Sequence, residues 1–78
     1  MNEIIGEWRG NKEILIFGEK KYFKIDQYEG KWFTRGQYLT LDVKSSHFHN
    51  KVKRKFKIDK YLFIEGQDGE FIKYRRKK

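Results

Sequence analysis

The chain has 78 residues, neither cysteine nor proline, and a formal charge of +8 from 19 Lys and Arg against 11 Asp and Glu. That length suits one domain, 1–78, because domains typically run to about 100–150 residues, and the missing cysteines exclude disulfides and thiolate zinc centres. No apolar run approaches the ~20 residues of a membrane helix, and the stretch from Met1 to Gly6 lacks the basic and apolar regions of a secretion signal, so a cytoplasmic protein without a membrane span is expected.

Along the chain apolar residues alternate with polar ones and never hold a helical period over ten positions. The first strand falls near 4–9 and carries Trp8; a second, near 13–18, carries Leu15 and Phe17. In the third, near 21–28, Phe23 and Ile25 share a face, and a fourth follows near 31–35. Leu39, Leu41 and Val43 line one side of the fifth, near 37–44. The sixth, near 47–58, sets Val52, Phe56 and Ile58 against Lys53, Lys55 and Lys57, and two more strands follow near 61–65 and 70–76. Turn signals separate these runs: Gly10-Asn11, Gly18-Glu19, Glu29-Gly30, Arg35-Gly36, Lys44-Ser45-Ser46, Asp59-Lys60 and the Gly66–Gly69 loop.

The expected fold is therefore all-β, one antiparallel up-and-down meander of seven or eight short strands curled into a barrel, because closure removes exposed edges. With strands of ~5–6 residues, its interior should be filled by Trp8, Leu15, Phe17, Phe23, Ile25, Leu39, Leu41, Phe56 and Ile58. Gly6-Glu7-Trp8 returns as Gly30-Lys31-Trp32, an echo that a duplicated half-barrel or a repetitive composition would each produce.

Gly6-Glu7-Trp8 at the start, the meander layout, and Arg75 and Arg76 closing the last strand resemble the lipocalin-like, or calycin, barrels. The resemblance implies an antiparallel barrel in which a late Arg packs over the first Trp. A full lipocalin needs about twice this length to enclose a small ligand. The expectation here is the fold without the apolar cavity, and a ligand outside the barrel.

The densest functional signal is Lys51, Lys53, Arg54, Lys55 and Lys57. Alternate strand residues stand roughly 6.6–6.8 Å apart, which approximates the spacing of phosphates along a nucleic-acid strand. Lys73, Arg75, Arg76, Lys77 and Lys78 form a second basic cluster. Trp32, Tyr38 and Tyr74 are candidate stacking or interface aromatics beside these charges. The expected partner is a polyanion, foremost nucleic acid. One alternative is a lipocalin-like interaction module, an inhibitor or accessory factor, whose basic face docks an acidic protein.

His47-Phe48-His49 sets two imidazoles on one strand face, which opens a third reading as a small ribonuclease with Lys51 or Arg54 on the phosphate. The pair lacks a nearby third ligand, so no metal site and no cofactor are expected. No paired carboxylates, nucleophile elbow or phosphate cradle appears. Binding without catalysis is the expectation.

Overall fold

The structure, a computed structural model, describes residues 3–77. Eight strands follow one another: β1 (Gly6–Arg9), β2 (Ile14–Phe17), β3 (Tyr22–Ile25), β4 (Tyr28–Arg35), β5 (Tyr38–Lys44), β6 (His49–Ile58), β7 (Leu62–Glu65) and β8 (Phe71–Arg76). Each pairs antiparallel with the next, and β8 returns to β1, where Trp8 opposes Arg76, so the sheet closes into an up-and-down barrel. A single 3-10 turn, Glu19–Lys21, joins β2 to β3. Among the described residues no helix is long and apolar enough to cross a membrane.

Closure depends on stagger, and β6 shows how it is achieved. Its first seven residues pair with β5 and its last three with β7. That offset tilts the strands and lets a short sheet meet its own edge.

Period-two alternation sends one set of side chains inward. Trp8, Leu15, Phe17, Phe23, Trp32, Leu39, Val43, Leu62, Ile64 and Tyr74, joined by Ile4 ahead of β1, make the buried core. Phe17 lies 5.0 Å from Phe23 and meets Trp32 edge-on at 5.7 Å. Such edge and tilted contacts add about 0.5–1.5 kcal/mol each beyond burial, which a core this small needs. Both indoles satisfy their one donor: Trp8 Nε1 donates to the Ile4 carbonyl at 2.8 Å and Trp32 Nε1 to that of Gly18 at 3.0 Å.

The filled interior expected from the sequence is present through the middle of the barrel. Ile25, Leu41, Phe56 and Ile58 are only half-buried. At the end holding the 26–27 and 45–48 connections, Ile25, Tyr28, Leu41, Phe48 and Val52 line an open apolar recess of about 260 Å³.

One turn differs from expectation. Ile25 pairs with Tyr28, so the β3–β4 hairpin turns on Asp26-Gln27, with Asp26 at φ 52°. Glu29-Gly30 lies inside β4 instead, paired with both β3 and β5. Gly30 is required there by proximity, not by turning: a Cβ at Gly30 would collide with the carbonyl of Asp42.

Candidate nucleic-acid interface

The alternation of β6 divides its charges. Lys51, Lys53, Lys55 and Lys57 point outward and are exposed, while Asn50, Val52, Arg54, Phe56 and Ile58 take the inner series. Arg54 therefore leaves the lysine row. It opposes the buried Leu39, and its guanidinium donates to the Lys53 carbonyl at 3.2 Å.

Register then sets what lies beside the lysines. Across β4, β5 and β6, one outward row runs Lys31, Asp42, Lys51; the next runs Phe33, Thr40, Lys53; the third runs Arg35, Tyr38, Lys55. Phe33 is 41% exposed and Tyr38 39%. The Lys53 ammonium sits 4.7 Å from the Tyr38 ring centroid, and that of Lys21 lies 5.9 Å from Phe33. Asp42 is the carboxylate within these rows, and His49 Nε2 holds it at 2.6 Å. Among the described residues no ion pair engages Lys31, Arg35, Lys51, Lys53 or Lys55. The result is a predominantly basic sheet face, with Asp42 as the carboxylate of its first row and two aromatic rings in the next two.

Lys57 carries the positive run past the stagger. It opposes Phe63, which opposes Lys73 on β8, so two outward lysines flank one ring on the same row. Lys57 lies 5.1 Å from the Phe71 ring and Lys73 only 4.0 Å from that of Tyr61. Arg75 faces Arg9 across the β8–β1 seam, and both border an open cleft of about 410 Å³ shared with Lys73 and Asn11. Lys78 lies outside the described residues.

Three of the residues singled out by sequence do structural work. Trp32 is 3% exposed and belongs to the core, so it offers no ring face to a partner. Tyr74, also 3% exposed, points into the barrel, where its hydroxyl donates to the Glu13 carboxylate. Burial foremost, then that carboxylate, holds the Tyr74 phenol well above its ordinary pKa. Arg76 stacks over Trp8 at 4.2 Å and donates to the carbonyls of Ile5, at 2.8 Å, and Glu3. It ties the start of the chain to the last strand. Gly6 leaves the room, since a Cβ there would stand 2.6 Å from Arg76 Nη1.

The two histidines separate. His49 opens β6, whereas His47 lies in the 45–48 loop, where Ser45 Oγ accepts the N–H groups of His47 and Phe48. They do not share a strand face, and among the described residues no three His, Asp or Glu side chains cluster to hold a metal.

Sequence reasoning missed Phe33, Lys31, Arg35 and Lys21. The signal was there. Once Leu39, Leu41 and Val43 are inside, Tyr38 is outside, and a two-residue Gly36-Gln37 turn puts Arg35 and Phe33 beside it. The same parity turns Trp32 inward.

Comparison of the chain with known protein families, curated proteins and solved structures finds no match in any of the three.

Proposed function

We propose that this chain is a non-catalytic binding protein that takes nucleic acid on the outer face of β4, β5 and β6, using a lipocalin-like barrel as a filled scaffold. The observation that carries this reading is the outward set Lys31, Arg35, Lys51, Lys53 and Lys55 around Phe33 and Tyr38, without an ion pair to any of these cations among the described residues. Cations at strand spacing that engage no ion pair gain most from a partner that carries regularly spaced anions, because each contact releases a condensed counterion. Lys57 and Lys73 extend the track, and Arg75 borders its far side. The Gly6-Glu7-Trp8 start with Arg76 over Trp8 supports the scaffold half of the proposal.

Titration of a labelled oligonucleotide by fluorescence anisotropy tests the reading. Affinity should fall linearly in log–log form with salt, with a slope of about −0.7 for each phosphate neutralised on a single strand. Absence of binding at low salt overturns it. Capture of a cellular protein that survives nuclease treatment would instead favour an acidic protein partner on the same face.

A further inference from the structure

Resting on that reading, the structure assigns a narrower ligand: we propose that Phe33 and Tyr38 form a platform for two unpaired bases, so that the partner is single-stranded nucleic acid. Phe33 opposes Thr40 and Tyr38 opposes Arg35, which makes the rings diagonal neighbours on adjacent strands. Diagonal positions stand roughly 7–8 Å apart, a separation that one nucleotide step of an extended strand can span.

The other exposed aromatics are less free. Tyr22 donates its hydroxyl to Glu29 at 2.6 Å, and Tyr28 packs edge-on against Phe48 at the barrel mouth, 5.2 Å between centroids. Phe71 lies opposite Glu65, whose charge opposes an approaching phosphate. Phe33 and Tyr38 each have a lysine ammonium over the ring and another cation or Thr40 directly opposite, and the Asp42 carboxylate diagonal to Phe33 is hydrogen-bonded to His49. A base stacking on Tyr38 displaces the Lys53 ammonium from the ring, and the four-carbon stem lets that ammonium follow to the adjacent phosphate.

Shape selects the single strand. The outside of a closed barrel is convex and projects no element into a groove, whereas an unpaired strand drapes over it with its bases turned toward the rings. In a duplex the base faces are already stacked on one another. Base identity is read weakly, since every base has a π face.

The test compares three probes at about 50 mM salt: an oligouridylate of about ten nucleotides, a duplex of equal length, and inorganic polyphosphate of similar charge. The wild type should bind the single strand most tightly. Phe33→Leu and Tyr38→Leu should each weaken that binding roughly tenfold, leave polyphosphate binding unchanged, and Tyr38→Phe should restore wild-type affinity. Equal affinity for all three probes, a preference for the duplex, or Leu variants that bind the oligouridylate like the wild type overturns the platform while the polyanion reading stands. No binding of any probe overturns both. Should a Leu variant fail to fold, the wild-type ranking of the probes decides alone.

Discussion

Arg76 lies within the second basic cluster, yet its contacts assign it to closing the barrel and not to the proposed interface. Arg76→Met separates these roles because it keeps an apolar stem over Trp8 and removes the guanidinium. Lost are two donations, to the Ile5 and Glu3 carbonyls, and the cation over the Trp8 ring at 4.2 Å. Hydrogen bonds from charged groups contribute about 1.5–3 kcal/mol each, and these are exposed, so the low end or less applies. An exposed cation–π contact adds about 0.5–1 kcal/mol. The expected loss is therefore about 2–3 kcal/mol, or a fall in Tm of roughly 10–20 °C for a domain of this size.

Urea unfolding followed by tryptophan fluorescence reads that loss, and an oligonucleotide titration on the same variant should show affinity within about twofold of wild type. Gly6→Ala should also destabilise, through its φ of 139° and its approach to Arg76 Nη1. In the Arg76→Met background the second of those costs disappears, so the two changes should be less than additive, by about 1 kcal/mol. A variant with the wild-type urea midpoint and weakened binding would refute this reasoning and return Arg76 to the interface.

Gly30→Ala should cost about 2–3 kcal/mol, read as a shifted urea midpoint, because the added methyl must move the Asp42 backbone; unchanged stability would mean that the β4–β5 approach is looser than it stands. Tyr74→Phe should alter alkaline unfolding. The buried phenol keeps its proton above the ordinary value of 10 that it regains on unfolding, so its contribution is complete below pH 10 and is lost as pH rises beyond it. The variant should therefore lose stability less steeply than wild type between about pH 10 and 11, and parallel profiles would count against a phenol held protonated by burial and by Glu13. Lys53→Gln with Lys55→Gln should flatten the log–log salt slope for a single strand by about 0.7 per lysine, and an unaltered slope would move the phosphate track elsewhere.

The barrel was legible because one face of each strand is buried, which writes a period of two into the sequence. Alternation located all eight strands to within a few residues. The β3–β4 turn was not legible, because Glu29-Gly30 has turn composition and Asp26-Gln27 does not advertise its positive φ. What fixes Gly30 inside β4 is the Asp42 backbone twelve residues away, a contact that no local window contains. Arg76 was half legible: a late Arg was expected over Trp8, but only the β8–β1 register shows which of two adjacent arginines faces that ring.

The proposed interface was legible in charge and obscure in aromatics, for a reason that bears on small barrels generally. A strand gives adjacent residues opposite faces, so Trp32 and Phe33 cannot both be core or both be surface. Ring size argues for Trp32 as the better platform, and the core claims it for the same reason: a chain of this length needs its largest side chains inside. Phe33 and Tyr38 are the rings left over, and they stand among lysines because β6 and its neighbours must keep an outward face in water. Dense packing and the external face proposed to bind are then two consequences of one pattern. Interior positions take the bulky groups, and the alternating outer positions become a regularly spaced array of cations and rings. A protein built this way should bind through that array, with its ligand laid across the strands and its core undisturbed.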